Sequence, residues 1–205
     1  VDEAAQTLRA LATGTVDRRA AVAERLEQVL RDAGQVVLLD AGIDQIVLDF
    51  AVKVAGGRPV VLATVKSEPL DVTLHVATRE GGRNEVVGRI HAELAAGGKV
   101  IVATDNASEG ERVAAAIRAQ HPDAPVLLIT GEDTAEPAVR AFLERPDEEA
   151  PKYRAIVYSP AISSGVSITA PGFAAFGLFF GITAPLEALQ QIRRYRPATE
   201  IHVAI

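Results

Sequence analysis

Three arginines lie close together near the C-terminal end of the chain, in the sequence LQQIRRYRP at 189–197. The preceding residues predict a short helix, because Pro185 suits a first helical position and apolar residues follow at helical spacing. Its buried face would leave Arg193, Arg194 and Arg196 pointing outward together. Guanidinium groups stay charged, and their planar forks match phosphate oxygens. The segment therefore predicts a phosphate-binding surface, with a solvated basic helix end as the alternative.

A second candidate is the loop SSGVSIT at 163–169, which follows a predicted buried strand. Small hydroxyl residues around Gly165 would let backbone N–H groups approach an anion closely. A tight turn without a ligand is the alternative. One further strand separates this loop from the arginines. Because parallel sheets bind ligands at the carboxyl ends of their strands, we expect the loop and the arginines to meet at one phosphate site.

Composition limits the classes of function. The chain has 205 residues, 48% of them hydrophobic, a net charge of −6 and no cysteine. Disulfides and thiolate metal sites are excluded, and attraction to nucleic acid must be local. The four histidines show no ligand spacing, so we expect surface or strand roles for them. No signal peptide and no apolar run of about 18 residues is visible, so we expect a cytoplasmic protein without a membrane partner. Because the chain starts at Val1 and lacks methionine, we expect a segment of a longer protein or one trimmed at its start.

Short apolar runs alternate with helical patterns along the chain. The predicted strands are 36–39, 59–64, 71–77, 99–103, 125–129, 155–158, 174–180 and 200–204. This alternation predicts an α/β fold with an open, mainly parallel sheet and helices on both faces. Gly97 and Gly98 indicate a boundary between two halves. The stretch Asp147-Glu148-Glu149 between two prolines predicts a solvated loop.

Two segments in this order resemble a known family. The sequence YSPAISSGVS at 158–167 resembles motif V, and QQIRRYR at 190–196 resembles motif VI, of the second RecA-like domain of superfamily 2 helicases. The pattern is most similar to cyanobacterial-type plasmid replication proteins, which are related to herpesvirus-type origin-binding helicases. The resemblance implies a RecA-like fold of the P-loop NTPase type.

The resemblance extends towards the start of the chain. Asp2-Glu3 resembles motif II, LLDAG at 38–42 resembles motif III, and 99–106 resembles motif IV. It implies that 1–96 are the C-terminal part of a first RecA-like lobe and that 97–205 are a complete second lobe.

The resemblance also implies roles for individual residues. ATP and Mg²⁺ would be the cofactors, and the partners would be an upstream RecA-like lobe and the backbone of a nucleic acid, expected to be DNA. Asp2 would hold Mg²⁺ and Glu3 would orient the attacking water. Arg194 and Arg196 would stabilise charge on the γ-phosphate. The residues implied in nucleotide binding are Gln190, Arg193, Gly165 and Ser167, and those implied in nucleic-acid binding are Asp40, Thr104, Ser163 and Ser164.

The sequence departs from the helicase pattern at three places. It contains no G-x-x-x-x-G-K-[ST] phosphate loop, which we expect upstream in the longer protein, so the chain alone should not hydrolyse ATP. Ser167 stands where many relatives carry Asp. Gly42 stands where a hydroxyl residue is frequent.

Two other functions fit parts of the sequence. The stretch 103–111, ATDNASEGE, resembles the acidic loop of Toprim domains, in which carboxylates such as Asp105 and Glu109 would hold Mg²⁺ for phosphodiester chemistry. Ala107 stands where that pattern has a second Asp. The third possibility is a RecA-like module that binds nucleic acid without catalysis. A phosphate loop upstream would favour the ATP-hydrolysing helicase. Its absence would favour the module without catalysis.

Overall fold

The computed structural model describes residues 1, 4–13, 16–40, 43–64, 71–160 and 166–205. The chain divides into two compact units, Val1–Glu68 and Pro69–Ile205. This division lies earlier than the one that Gly97 and Gly98 indicated, because a strand at 73–77 pairs with the last strand of the chain. Gly97 instead lies in the turn between a helix and a strand of the second unit, with a φ of 86°.

Unit 1 is built around three helices in its described part, α1 (Ala4–Thr13), α2 (Arg19–Asp32) and α3 (Gln45–Ala55). Asp44 starts α3, since its side chain accepts a hydrogen bond from the Val47 N–H at 3.1 Å. Gly56 ends the helix with a φ of 57°, which suits glycine. A small aliphatic core joins α1 to α3 through Ala4, Ala5 and Val47.

The predicted strands at 36–39 and 59–64 are wrong for the described residues. Neither segment belongs to a helix or to a strand ladder there. Their apolar side chains are largely exposed, with Val61 at 85%. The two segments and α3 line a cavity of about 540 Å³. A short apolar run indicates a tendency to be buried, but a strand also requires a paired neighbour, which the run itself cannot specify.

Unit 2 contains a six-stranded sheet. Its strands are β1 (Thr73–Ala77), β2 (Lys99–Thr104), β3 (Val126–Ile129), β4 (Ala155–Tyr158), β5 (Phe173–Leu178) and β6 (Glu200–Ala204). The order is β1-β6-β5-β2-β4-β3, and every pair is parallel. The predicted α/β class with a parallel sheet is confirmed.

Helices cover both faces of this sheet. They are α4 (Gly82–Ala95), α5 (Ala107–Gln120), α6 (Pro137–Glu144), the short α7 (Pro146–Glu149) and α8 (Pro185–Ile192), with short 3₁₀ turns at Asp133–Ala135 and Ala150–Lys152. Alternate residues of β2 face opposite sides: Val100 and Val102 pack with α4 and α5, whereas Ile101 packs with α6 and α8. Among the described residues, no helix combines the length and apolar character needed to cross a membrane.

Candidate phosphate-binding site

Two buried hydrogen bonds hold α8 at the carboxyl end of the sheet. The Tyr158 hydroxyl, at the end of β4, donates to the Gln191 carbonyl at 2.8 Å. The Gln191 side chain in turn donates to the Thr104 carbonyl, at the end of β2, also at 2.8 Å. Gln191 is 7% exposed, so these contacts are shielded from water. The helix that carries the arginines is therefore fixed to two central strands.

The end of the serine loop lies directly against the arginine segment. The Ile168 N–H donates to the Arg194 carbonyl at 2.8 Å, and the Arg196 N–H donates to the Ile168 carbonyl at 2.9 Å. Ile168 is fully buried and anchors this pairing in the core. The Nε of Arg196 also donates to the Ser167 hydroxyl at 3.2 Å. The structure thus brings Ser167 and Arg196 together at this edge of the sheet.

The three arginines form a cluster of positive charge. Among the described residues, no carboxylate forms an ion pair with Arg193, Arg194 or Arg196, and the buried Nε atoms of Arg193 and Arg194 lack a hydrogen-bond partner. One Nη of Arg193 donates to the Ala198 carbonyl at 3.1 Å. Burial, and then the charge of Arg196, lower the pKa of Arg193. Such crowding of like charges favours an anion nearby.

Arg194 lies close to the end of β4. Burial raises the pKa of the Tyr158 hydroxyl, whereas the positive charge of Arg194 acts in the opposite direction. Arg194 is itself only half-buried. The charge of Arg194 therefore acts at the carboxyl end of a central strand, where parallel sheets bind their ligands.

An acidic side chain also fixes the C-terminal end of the serine loop. Asp147 accepts hydrogen bonds from the Thr169 N–H at 2.6 Å, from the Ala170 N–H at 2.9 Å and from the Thr169 hydroxyl. The Thr169 hydroxyl contributes most to lowering the pKa of Asp147. The predicted loop is therefore wrong for this residue, which lies in α7 and binds backbone N–H groups, although its side chain is exposed as predicted. Neighbouring Glu149 is also engaged, by Lys152 at 2.6 Å.

The acidic loop after β2 has a structural role. Asp105 is 5% exposed, and its two carboxylate oxygens accept N–H groups of the loop between β5 and α8. The donors are Phe180 at 2.8 Å, Ile182 at 2.7 Å and Thr183 at 3.2 Å. Glu109, 4% exposed, lies 2.9 Å from an Arg112 nitrogen. A metal could bind these carboxylates only by displacing the partners that they already have. The contacts therefore disfavour the Toprim interpretation.

The structure gives the surroundings of several predicted site residues. Thr104 is 1% exposed and its hydroxyl accepts the Asn106 N–H at 3.2 Å, and its role in nucleic-acid binding stays a prediction. In unit 1, Asp40 accepts the Ala5 N–H at 2.8 Å, and its role in nucleic-acid binding stays a prediction. Gln190 is half-buried on α8. The other predicted residues, Asp2, Glu3, Ser163, Ser164 and Gly165, lie outside the described residues.

Sequence reasoning missed Gln191, Tyr158 and Asp147 as supports of the site. A signal existed for Gln191, since it follows Gln190 and lies closer to the buried face of the helix. Tyr158 and Asp147 gave no local signal, because their partners lie more than twenty positions further along the chain.

No family model matches the chain, and no curated protein matches it. Solved structures do match. The structure of Mss116p bound to ssRNA and AMP-PNP covers 100% of this chain at 15% identity, with a TM-score of 0.63. The DEAD-box helicase Mss116 bound to ssRNA and UDP-BeF covers 99% at 15% identity, with a TM-score of 0.64. The S. cerevisiae Dbp5 L327V variant bound to Gle1 H337R and IP6 covers 100% at 13% identity, with a TM-score of 0.56.

These matches identify the fold. The chain has the α/β RecA-like fold of helicase domains, as the resemblance implied. It spans 42% of each Mss116 chain and 50% of the Dbp5 chain. These matches therefore show the fold of this chain and not the activity of a whole helicase.

Proposed function

We propose that this chain is part of a nucleic-acid-dependent ATPase of the superfamily 2 helicase type, with unit 2 as its second RecA-like lobe. The observation that carries the proposal is the pairing of Ile168 with Tyr195, which places Ser167 beside Arg196 at the carboxyl end of the sheet. Hydroxyl and guanidinium groups at such an edge suit phosphate groups. The absence of carboxylate partners for these arginines among the described residues gives further support.

The arginines would act on ATP held by a first RecA-like lobe. Arg194 is the stronger candidate for the γ-phosphate, because its buried Nε has no hydrogen-bond partner in the described part of the chain. Arg196 would assist from the end of the serine loop. An arginine in this role contributes about 10³–10⁵ in rate. The other proposed contacts of the nucleotide are Gln190, Arg193, Gly165 and Ser167.

We assign Asp2 and Glu3 to the nucleotide site of the first lobe, and Asp40 to its contact with nucleic acid. The backbone of Val1 is hydrogen-bonded to Val37 at 2.7 Å and to Leu39 at 2.8 Å. Val1 precedes Asp2-Glu3, and Leu39 precedes Asp40. This pairing supports the assignment, because coupling of the nucleotide to nucleic acid requires the two motifs to be close. Asp2 would hold Mg²⁺, which neutralises phosphate charge when bound, and Glu3 would orient water.

We propose that the nucleic acid is bound through its backbone. The net charge of −6 gives no long-range attraction, so contacts must come from short polar segments such as Ser163 and Ser164. Both Mss116 structures contain ssRNA. We propose DNA for this chain, and a cytoplasmic role in plasmid replication, on its resemblance to cyanobacterial-type plasmid replication proteins.

The test is the ATPase activity of the longer protein that carries the upstream phosphate loop, measured with and without single-stranded DNA or RNA. Arg194→Ala should lower the stimulated kcat by on the order of 10³-fold, because one γ-phosphate contact is lost. Arg194→Lys should not restore the rate, since an ammonium lacks the planar fork. Far-UV circular dichroism establishes that each variant is folded.

Arg140→Ala is the matched control, since it removes an exposed arginine of α6 in the same unit. Its kcat should equal that of the wild type. Full activity of Arg194→Ala would refute the catalytic assignment. A longer protein without a phosphate loop that binds single strands but hydrolyses no ATP would establish the non-catalytic module instead.

A further inference from the structure

Two histidines and a glutamate meet on one face of the sheet at its β1 edge. In the parallel pair of β1 and β6, His75 lies directly opposite His202. Glu200 is two positions before His202 in the same strand, so its side chain points to the same face. One ligand atom from each of the three side chains lies within 4.8 Å of the other two. We propose that His75, Glu200 and His202 bind a divalent transition-metal ion, with Zn²⁺ as the best match.

The donor set fits zinc chemistry. Two imidazoles and one carboxylate leave a fourth, open position in a tetrahedral Zn²⁺ site. The His75 Nε2 lies 4.0 Å from a Glu200 oxygen, whereas ligand atoms around a tetrahedral ion are about 3.3 Å apart at bond lengths of about 2.0–2.1 Å. His75 and Glu200 are 47% and 67% exposed, so their side chains are free to rotate inward.

The orientation of the rings defines the movement that binding requires. The imidazoles of His75 and His202 stack with centroids 4.6 Å apart and an interplanar angle of 17°. A metal lies in the plane of each ring that binds it, so the rings must open from this stack. The terminal torsion of histidine is broad, which makes this rotation easy. Phe176 stacks on His202 from within the sheet and limits movement on that side.

The charges around the three side chains act on the pKa of His202 in opposite directions. Burial lowers the pKa of His202, as do the charges of Arg89 and His75, whereas Glu200 and Glu85 act in the opposite direction. Arg89 lines a cavity together with His75 and His202, and its charge disfavours a cation there. Glu85 offsets this charge, because it accepts a hydrogen bond from Arg89 at 3.4 Å.

Metal binding here would join the first strand of unit 2 to its last. Because β1 is an edge strand held by β6 alone within the sheet, a bound ion adds a second link between them. A ligand that binds only the folded state stabilises it by mass action. The melting temperature of the protein should therefore rise with the Zn²⁺ concentration, by on the order of 5–10 °C at one hundred times Kd.

The chain contains its own control pair. His91 and His121 are its only other histidines, and they also stack, with ring centroids 5.3 Å apart. The Nδ1 of His91 lies 3.2 Å from the Nε2 of His121, which is a hydrogen-bond distance. In the described part of the chain, they belong to no group of three ligands. The chain has no cysteine, so thiolates cannot contribute to binding.

The test is a Zn²⁺ titration of the untagged chain by isothermal calorimetry, with Co²⁺ absorption as a readout of coordination. We expect one ion per chain. His75→Gln and His202→Gln should each weaken binding at least about tenfold and remove both the tetrahedral Co²⁺ bands and the Zn²⁺-dependent rise in melting temperature. Glu200→Gln should weaken binding, and His91→Gln should leave it unchanged.

Three results would overturn the proposal. The first is no binding at millimolar Zn²⁺. The second is binding that persists unchanged in His75→Gln and His202→Gln. The third is an equal loss in His91→Gln, which would indicate diffuse binding. Circular dichroism without metal checks that the variants are folded, and the site does not depend on the proposed ATPase.

Discussion

Removal of the Asp105 carboxylate should destabilise unit 2 far more than removal of an ordinary surface acid. Asp105 is 5% exposed and accepts three backbone N–H groups at 2.7–3.2 Å. A hydrogen bond to a charged group contributes about 1.5–3 kcal/mol. Two of the donors, in Phe180 and Ile182, belong to exposed residues whose N–H groups water can reach after the substitution. We therefore expect Asp105→Ala to lower the free energy of unfolding by about 3–5 kcal/mol.

The assay is urea unfolding followed by far-UV circular dichroism. Asp105→Asn should cost less than Asp105→Ala, because its carbonyl oxygen still accepts one or two of the three donors. Asp123→Ala removes an exposed acid of the same unit and should change stability by less than about 0.5 kcal/mol. Amide hydrogen exchange at 180–183 should accelerate in Asp105→Ala. A loss below about 1 kcal/mol would refute the structural role of this carboxylate.

Three further substitutions test the supports of the site. Tyr158→Phe removes the hydroxyl that holds α8 and should cost about 1–2 kcal/mol in urea unfolding, because the Gln191 carbonyl loses a buried donor. Gly177 of β5 lies beneath α8, and Gly177→Ala should cost about 1–3 kcal/mol in the same assay, since the added Cβ would lie 2.7 Å from a side-chain atom of Ile192 in that helix. Hydrogen bonds lower the pKa of Asp147, so the stability of the wild type relative to Asp147→Asn should be full above about pH 5 and decline as pH falls below about 4. A difference that grew on acidification would contradict the role of Asp147.

The sequence was sufficient for the architecture of unit 2. Runs such as 99–103 and 155–158 are apolar on both faces, which is typical of central parallel strands, and both are strands in the structure. The parallel order also explains why the serine loop and the arginines could be expected at one edge. The first strand was less certain, because its residues are mostly exposed at the edge of the sheet.

The remaining features depend on contacts between distant residues. Local spacing suggested that the histidines were unrelated, yet the pairing of β1 with β6 brings His75 and His202 together. Asp105 follows a strand as a ligand would, but it binds a backbone loop more than seventy positions away. The segment 36–39 has the composition of a strand without a strand partner among the described residues. Composition and spacing carry no information on such pairings.

The central claim is that the arginine segment contacts the γ-phosphate of ATP. The direct measurement is a crystal structure of the longer protein with Mg²⁺, single-stranded DNA and an ATP analogue. We predict a guanidinium nitrogen of Arg194 or Arg196 about 3 Å from a γ-phosphate oxygen, and Ser163 or Ser164 at the nucleic-acid backbone. A bound analogue with both guanidiniums turned away from it, at distances beyond about 6 Å, would contradict the account.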